Sequence, residues 1–563
     1  MKSRNRALDR PWRRPGAWRY AWSRLRAVLH PPVTVVPAPA DLRKVRDLPV
    51  AMRDGTVLRV NVYRPAGDHR VPVIVSAHPY GKDALPKRTW RGWHFSAQYR
   101  VLRQSMPLEF SSETGWEAPD PVWWVAHGYA VVNADVRGAG RSEGRGALLS
   151  DQEGEDVADL ITWAGAQAWS NGCVGMLGVS YLAISQYKVA ALRPASLRAI
   201  VPWEGFTDAY RDLFAPGGIE ERGFSLLWQT LVRRRMRMDQ DFGEERRRHA
   251  LRDAWWQSLV PDLSRIEVPM LICASFSDND LHSRGSFRAF QQVGSTDRFA
   301  YTHRGPKWAT FYSGEARAAQ LAFFERYLKA RAVPEPPRVR LEVRESGSVV
   351  AGVREEREWP LARTRWRDLY LAGEGMLREE PGGPGQVTFA TRRAAAAFRH
   401  RFAEDTELTG PMTLRLWVSV AGAEDVNLFA GVEKWRDGEY VPFEGSYGYG
   451  RDRVTTGWQR AALRELDPVA SSPHEPVPTL LHVQPLAPGE VVRVEFALGP
   501  SSTLFRGGET LLLVVAGRWL SSANLLSGSL PARYRPSAAS RCTLHWSEGM
   551  PAALTVPEIP RPA

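Results

Sequence analysis

The chain has 563 residues, an apolar fraction of 44% and a formal net charge of +13. That length and apolar content are those of a globular protein of two or three domains, and they exclude a disordered chain. The first 30 residues carry nine Lys and Arg side chains against one acidic residue. The remainder is only mildly basic, which excludes a nucleic-acid-binding body.

The three cysteines, Cys173, Cys273 and Cys542, lie far apart in the sequence. Their spacing indicates neither a metal site nor a disulfide framework. Such cysteine usage is typical of a reducing compartment, and we expect a cytoplasmic protein. No apolar run is long enough to span a membrane, and no uninterrupted apolar core of a signal peptide is evident.

A basic N-terminal arm, residues 1–44, also carries Trp12, Trp18, Tyr20 and Trp22. Basic and aromatic residues together are typical of a segment that contacts anionic lipid. Because the apolar face of this arm is short, an arm folded back on the body is favoured over membrane contact.

After the arm, apolar strands alternate with helical patterns. Asp54-Gly55 separates two alternating runs and predicts a hairpin. Buried strands are predicted at residues 71–77, 129–134, 173–179, 197–202, 268–274 and 299–302. Nearly continuous apolar strands alternating with helices predict a parallel sheet that helices cover on both faces.

Two changes of pattern predict further domains. Residues 206–262 have helical periodicity and no strand, which indicates a cap over the carboxyl ends of the sheet strands. After the Pro-rich linker at 333–337 the period becomes two, which is typical of an all-β sandwich or jelly roll. The predicted fold is therefore an α/β core at 45–205 and 263–333, a helical cap at 206–262 and a β jelly roll at 338–563.

The chemistry is centred on Gly178-Val179-Ser180-Tyr181-Leu182-Ala183, at the boundary between a strand and a helix. A serine on such a sharp turn exposes its hydroxyl above the sheet, and the helix behind it supplies backbone N–H groups. Alanine stands where the G-x-S-x-G pattern has its last glycine, so the motif alone is a modest signal. Ser180 is nevertheless predicted to be the nucleophile.

A serine nucleophile needs a base and an acid that orients the base. In this kind of sheet the acid follows the serine and a histidine follows the acid. Asp278 comes just after one strand and is favoured over Asp280 because it lies nearer the strand end. His303 ends the next strand and is favoured as the base over His282, which lies close to the acid loop.

The oxyanion of such a reaction needs two hydrogen-bond donors. The N–H of Tyr181, directly after the nucleophile, is one of them. Tyr80 lies in the loop after an early strand, where its hydroxyl is a candidate for the second donor. Packing of the Tyr80 ring under that loop is an equally weighted alternative.

Several motifs resemble those of one family. They are Pro79-Tyr80, Asp135-x-Arg137-Gly138-x-Gly140-x-Ser142-x-Gly144, Trp169-Ser170-Asn171-Gly172, the Ser180 elbow, Gly457-Trp458-Gln459-Arg460-Ala461 and Pro488-Gly489-Glu490. Together they resemble the cocaine esterase-like, X-Pro dipeptidyl-peptidase (S15) family of α/β-hydrolases, also called CocE/NonD hydrolases. Many relatives carry a Gly-Pro-Trp-x-His run, where this chain has Gly305-Pro306-Lys307-Trp308-Ala309.

The resemblance implies an α/β-hydrolase core with an inserted helical cap and a C-terminal, galactose-binding-like jelly roll. It also implies Ser180, Asp278 and His303 as a triad, with Tyr80 and the N–H of Tyr181 as the oxyanion hole. The expected enzyme is a serine hydrolase of small esters, amides or short X-Pro peptides, with no metal or cofactor. A catalytically impaired relative that binds carbohydrate or protein through the jelly roll is the alternative, and homo-oligomerisation stays open.

Overall fold

The computed structural model describes residues 17–90, 92–96, 98–101, 106–445, 452–521 and 532–560. The strands of its N-terminal part are β1 (Val33–Val36), β2 (Arg43–Ala51), β3 (Val57–Arg64), β4 (Val71–His78), β5 (Lys87–Thr89), β6 (Gly92–His94), β7 (Leu108–Ser111), β8 (Ala130–Asp135), β9 (Ser170–Val179), β10 (Leu197–Trp203), β11 (Met270–Ser275), β12 (Arg298–His303), β13 (Val339–Arg344) and β14 (Val350–Glu356). The α-helices are α1 (Ala17–Leu29), α2 (Gln98–Val101), α3 (Pro121–Ala126), α4 (Asp151–Gly165), α5 (Tyr181–Ala191), α6 (Phe224–Arg233), α7 (Phe242–Arg248), α8 (Ala254–Ser258), α9 (Ser283–Gln292), α10 (Lys307–Phe311) and α11 (Gly314–Lys329).

One sheet organises this part, in the order β2–β3–β8–β4–β9–β10–β11–β12–β13–β14. Strands β8 to β13 in that order run parallel, while β2, β3 and β14 pair antiparallel with their neighbours. The central strands β4, β8 and β11 are buried throughout, as expected for a sheet covered on both faces. The predicted parallel sheet and the hairpin at Asp54-Gly55 are confirmed.

Glycines in β9 show how closely helices approach the two faces of the sheet. A Cβ added at Gly175 would lie 2.8 Å from Leu328 and Phe324 of α11. A Cβ added at Gly178 would lie 2.4 Å from Leu182 of α5. Successive residues of a strand point to alternate faces, so Gly175 and Gly178, three positions apart, face opposite sides of the sheet. Helices α11 and α5 therefore cover opposite faces.

The insertion that joins β10 to β11 has helices and helical turns but no strand of its own. Besides α6, α7 and α8 it contains a π-helix at Tyr210–Phe214 and 3₁₀ turns at Pro216–Gly218 and Leu263–Arg265. Its chain pairs with the loop after β8 through bridges from Met236 to Ala139 and from Met238 to Gly146. The insertion therefore lies against a loop at the carboxyl end of a central strand, where α/β sheets place their ligands.

The C-terminal part is all β. Its strands are β15 (Arg365–Ala372), β16 (Met376–Arg378), β17 (Gly385–Ala390), β18 (Ala395–Arg401), β19 (Thr406–Ala421), β20 (Asn427–Arg436), β21 (Glu439–Val441), β22 (Thr455–Arg460), β23 (Val492–Phe505), β24 (Thr510–Ala516), β25 (Arg541–Trp546) and β26 (Ala553–Ile559). The described residues of this part contain no helix beyond short 3₁₀ turns at Gly373–Gly375 and Ala461–Leu463.

Two antiparallel sets of strands share one buried core in this domain. Strand β19 pairs with β23 on one side and with β26 and β25 on the other, while β18, β24, β20 and β22 pair in sequence. Leu414 of β19, Leu428 of β20 and Leu513 of β24 belong to the same core. The fold is an α/β-hydrolase-like domain followed by an all-β domain, and the domain boundaries drawn from the sequence stay predictions.

The N-terminal arm is described from residue 17, so Trp12 and the other residues before it lie outside the described residues. Helix α1 leaves Trp18 and Trp22 exposed, and β1 pairs in parallel with β7. The arm is thus attached to the body through β1. Among the described residues, no helix combines the length and the hydropathy that crossing a bilayer requires.

Candidate active site

Ser180 stands between strand β9 and helix α5 in a strained backbone conformation, with φ of 57° and ψ of −113°. A non-glycine residue tolerates this region only where the surrounding structure imposes it. Small residues allow the sharp turn, because a Cβ added at Gly178 would lie against Leu182, and a Cβ added at Gly205 would lie 2.9 Å from the Ala183 methyl. The strand, elbow and helix predicted around Ser180 are confirmed.

The side chain that meets Ser180 is His282. Its Nε2 lies 3.2 Å from the Ser180 Oγ, and its Nδ1 hydrogen-bonds to the Asp278 Oδ2. Asp278 follows β11, and His282 lies four residues further on, directly before α9. The His282 N–H donates to the Asp278 carbonyl oxygen at 3.2 Å. This turn brings acid and base into contact, and the imidazole stacks on Phe206 with ring centroids 6.0 Å apart.

The structure corrects the prediction of His303 as the base. His303 does end β12, but its Nε2 lies 3.0 Å from the Glu204 Oε1, and its Nδ1 accepts a hydrogen bond from the Gly305 N–H at 3.0 Å. Both ring nitrogens are therefore occupied away from Ser180. The short separation of His282 from Asp278 in the sequence favours His303 as the base, yet in the structure that short separation is what pairs His282 with Asp278.

Lys307 takes part in the same buried cluster. Its Nζ lies 2.7 Å from the Asp278 Oδ2, 2.9 Å from the His282 Nδ1 and 3.8 Å from the Glu204 Oε2. It follows Gly305-Pro306 as the first residue of α10, in the run where the sequence departs from the pattern that the resemblance implies. The ammonium thus joins the Asp278–His282 pair to the neighbouring Glu204–His303 pair.

These contacts set the protonation of the pair. Burial alone would raise the pKa of Asp278, but the charges of Lys307 and His282 and their hydrogen bonds hold it well below its usual range. Burial and the Lys307 charge lower the pKa of His282, against the opposing effect of Asp278. Asp278 is therefore ionised at neutral pH, and His282 is neutral and able to accept a proton.

Three potential metal ligands, Glu204, Cys273 and His303, have ligand atoms within 4.8 Å of one another. Burial and the Glu204 charge raise the pKa of the Cys273 thiol well above 9, so the thiol stays protonated. The Lys307 ammonium also lies beside Glu204. Both ring nitrogens of His303 are already hydrogen-bonded, and the cation beside Glu204 disfavours a second positive charge, so we interpret Glu204 and His303 as a structural hydrogen-bonded pair.

Two predicted oxyanion donors lie beside Ser180. The N–H of Tyr181 is at the first position of α5, where backbone donors have no partner within the helix. The Tyr80 hydroxyl accepts a hydrogen bond from Trp228 Nε1 at 3.2 Å, and the Tyr80 ring meets the Tyr181 ring edge-on at 6.4 Å. Burial raises the pKa of Tyr80 well above 10, so its hydroxyl keeps a proton to donate.

Glu117 is a site residue that the sequence analysis missed. Its carboxyl interacts with the Ser180 hydroxyl, the Tyr181 N–H and the Tyr80 hydroxyl, and the side chain is buried. It lies in the long connection between β7 and α3, far from Ser180 in sequence. No motif marks it, and only the packing of that connection against the elbow brings it there.

The all-β domain holds the elements that carry His282 and Lys307. Arg304, fully buried, donates to the carbonyl oxygens of Val454 at 3.0 Å and of Arg453. Arg284, in the first turn of α9, donates to the Thr456 carbonyl oxygen at 2.9 Å and lies over the Trp458 ring at 4.5 Å. Arg284 lies two residues from His282 and Arg304 three residues from Lys307, two members of the buried cluster at Ser180.

Tyr80→Phe tests the second oxyanion donor. The change keeps the ring but removes a hydrogen bond made mainly in the transition state, so we expect kcat to fall about 100- to 1000-fold with little change in KM. Steady-state kinetics on one activated ester measure this. Trp228→Phe is the matched control, because it removes the partner of the hydroxyl and leaves the hydroxyl itself. Full kcat in Tyr80→Phe would favour the packing role.

Two family profiles match the chain. The one described as X-Pro dipeptidyl-peptidase (S15 family) matches residues 54–306, and the one described as X-Pro dipeptidyl-peptidase C-terminal non-catalytic domain matches residues 332–519. The first contains Ser180, Asp278 and His282, and the second covers much of the all-β domain. The family resemblance drawn from the motifs is confirmed.

Relatives agree with these matches. The cocaine esterase of Rhodococcus sp. (strain MB1 Bresler) is 29% identical over 396 residues, which are 59% of this chain and 63% of the esterase. A putative serine esterase of Mycobacterium bovis is 31% identical over 37% of this chain and 31% of its own length. The chain thus spans less than two thirds of the length of these curated relatives.

Solved structures extend the comparison to nearly the whole chain. An α-amino acid ester hydrolase, 17% identical with a TM-score of 0.66, shares the fold. A CocE/NonD family hydrolase from Staphylococcus aureus is 34% identical with a TM-score of 0.87, over 92% of this chain and 94% of that one. On the strength of that match, together with the two profiles, the chain belongs to the CocE/NonD family of hydrolases.

Proposed function

We propose that the protein is a serine hydrolase that cleaves an ester or amide through an acyl-enzyme. The contact that carries the proposal joins the Ser180 Oγ to the Nε2 of a buried His282 whose Nδ1 is held by Asp278. Ser180 attacks the substrate carbonyl carbon while His282 takes its proton. Asp278 fixes the tautomer of His282 and stabilises the imidazolium that forms.

The tetrahedral intermediate places a negative charge on the former carbonyl oxygen. The Tyr181 N–H and the Tyr80 hydroxyl donate to that oxygen. His282 then gives its proton to the leaving alcohol or amine, and the acyl group stays on Ser180. A water molecule, deprotonated by His282, attacks the acyl-enzyme and releases the carboxylic acid, which restores the serine.

The names of the relatives narrow the range of esters and amides that the protein is proposed to cleave. Relatives carry names of esterases and of X-Pro dipeptidyl-peptidases, which supports a small ester, an amide or a short peptide with an acyl, aminoacyl or X-Pro group. The helical insertion between β10 and β11 acts as the cap over this substrate. The all-β domain is proposed to be a galactose-binding-like jelly roll, and the protein to act in the cytoplasm.

Labelling by a fluorophosphonate tests the proposal. The probe should modify Ser180 in the wild-type protein and fail to modify Ser180→Ala, and an activated ester should be turned over only by the former. Ser185→Ala is the matched control, because Ser185 is a buried serine of the same helix α5. A folded wild-type protein that is neither labelled nor active would favour the binding-module alternative, which the contact of Ser180 with His282 argues against.

A further inference from the structure

Glu117 is a second buried carboxyl beside Ser180, in addition to the Asp278 of the proposed triad. Its backbone is attached to the elbow strand, because the Val179 N–H donates to the Glu117 carbonyl oxygen at 3.0 Å, one residue before Ser180. The residue is 4% exposed and has a φ of 63°, a region that a glutamate rarely adopts. Neighbouring contacts fix the segment, since the Tyr312 hydroxyl donates to the Ala118 carbonyl oxygen at 2.7 Å.

The carboxyl of Glu117 faces the groups that would bind an oxyanion. It interacts with the Tyr181 N–H and the Tyr80 hydroxyl, the two donors of the proposed hole, and with the Ser180 hydroxyl. Its Oε2 is buried and has no hydrogen-bond partner within the part of the chain that the structure describes. A buried polar atom without a partner at the nucleophile is one for which a substrate atom is a natural partner.

We propose that Glu117 acts as a neutral carboxylic acid whose O–H donates a third hydrogen bond to the oxyanion of the tetrahedral intermediate. The inference rests on the proposed serine hydrolase function and adds a catalytic residue to it. No proton is transferred in this role, because the O–H hydrogen stays on Glu117 while the oxyanion forms and collapses. The bond strengthens as charge develops on the substrate oxygen, which is the condition for lowering the barrier.

The protonation that this role needs is supported by the surroundings. Burial raises the pKa of Glu117 to about 8, while the Lys307 charge and the interactions with Ser180, Tyr181 and Tyr80 oppose the rise. Tyr99 and Tyr312 also face this region, with pKa values raised by burial, and both stay neutral. At neutral pH the carboxyl therefore carries its proton.

The protonation of Glu117 sets the direction in which activity changes with pH. Below about 8 the protonated Glu117 donates to the oxyanion, and above that pH it becomes a carboxylate. A carboxylate accepts only, and its charge repels the oxyanion that the site must stabilise. Activity should therefore fall as pH rises through this value, whereas a carboxylate that recognised a substrate ammonium group would give a rise.

The pH profile of kcat/KM on a neutral aryl ester, from pH 5 to 10, tests the inference. Wild type should lose activity above about pH 8. Glu117→Gln keeps an N–H donor at every pH, so its activity at pH 7 should exceed that of Glu117→Ala and should not decline above pH 8. Glu117→Ala should lose about 100-fold or more at pH 7, as expected when one oxyanion donor is removed. An alkaline decline unchanged in Glu117→Gln, or a rise through pH 8, would overturn the inference.

Glu153→Gln is the matched control. Burial raises the pKa of Glu153 to about 7, but its carboxyl already accepts from the Tyr181 hydroxyl at 2.8 and 2.6 Å. The alkaline decline near pH 8 should persist in this variant. If it disappears there and not in Glu117→Gln, the titrating group is Glu153 and the inference fails.

Two further measurements separate the possible failures. A trifluoromethyl ketone forms a hemiketal oxyanion on Ser180, so its inhibition of the wild-type protein should weaken above pH 8. This measurement needs no Glu117 variant and therefore holds even if such a variant does not fold. Constant inhibition across that range would contradict the inference. If a fluorophosphonate labels Ser180 but the alkaline decline is unchanged in Glu117→Gln, only the role of Glu117 is wrong. If the wild-type protein is not labelled at all, the proposed hydrolase function is wrong as well.

Discussion

Replacing His282 with glutamine should abolish most of the hydrolytic activity, with kcat lowered about 10⁶-fold. Glutamine retains bulk and a hydrogen-bonding amide, but it cannot take the proton of Ser180, whose Oγ lies 3.2 Å from the His282 Nε2. The barrier then contains the full cost of deprotonating a hydroxyl without a base in contact. Single-turnover kinetics with an activated ester, together with a thermal melt, distinguish lost chemistry from lost folding.

His303→Gln is the control that separates the two candidate bases. His303 hydrogen-bonds to the buried Glu204, so its replacement should lower the melting temperature. Because its imidazole does not contact Ser180, kcat should stay within about tenfold of wild type once the protein is folded. If His303→Gln removed activity and His282→Gln did not, the base assigned from the sequence would be the right one.

Asp278→Asn should lower kcat about 10⁴-fold while the fold is retained. The asparagine amide cannot hold the Nδ1–H tautomer of His282, so Nε2 no longer presents a lone pair to Ser180. The replacement also removes the charge that the Lys307 Nζ contacts at 2.7 Å. We therefore expect a lower melting temperature in addition to the loss of turnover, measured by calorimetry and steady-state kinetics.

Asp280→Asn is the matched variant two residues away. Burial and the charges of Asp452 and Asp278 raise the pKa of Asp280 well above its ordinary value. Asp280 therefore holds its proton to a higher pH than an ordinary aspartate, and asparagine is an isosteric neutral replacement for its protonated form. Activity should be close to that of wild type. The opposite ranking of the two variants would assign the acid to Asp280.

The sequence was sufficient to predict the parallel sheet, the elbow and the all-β domain, because each depends on a local pattern. Apolar runs predicted the strands, Gly178 and Ser180 marked the turn, and a period of two marked the second domain. The placement of Asp278 after β11 follows from chain order in the sheet. These features need no knowledge of how distant segments pack.

The base and Glu117 depend on packing that the sequence does not show. His282 comes after β11 and His303 ends β12, so both come after the acid and chain order alone cannot rank them. What decides is the turn that returns His282 over Asp278, and the pairing of His303 with Glu204, which lies at the end of a different strand. Glu117 reaches the elbow through a long connection without regular structure, where no periodicity applies.

Arg304 and Arg284 connect the all-β domain to the segments that carry Lys307 and His282. The all-β domain therefore helps to position these side chains, although none of the proposed reacting groups belongs to it. Strand β22 and the residues just before it accept from both arginines, and these flank the loop of Lys307 and the helix that His282 precedes. Replacing either arginine would remove one of those anchors, and displacements of about half an ångström matter for proton transfer. Natural selection on turnover therefore acts on both modules together, so exchanging one of them between relatives should require compensating changes in the other.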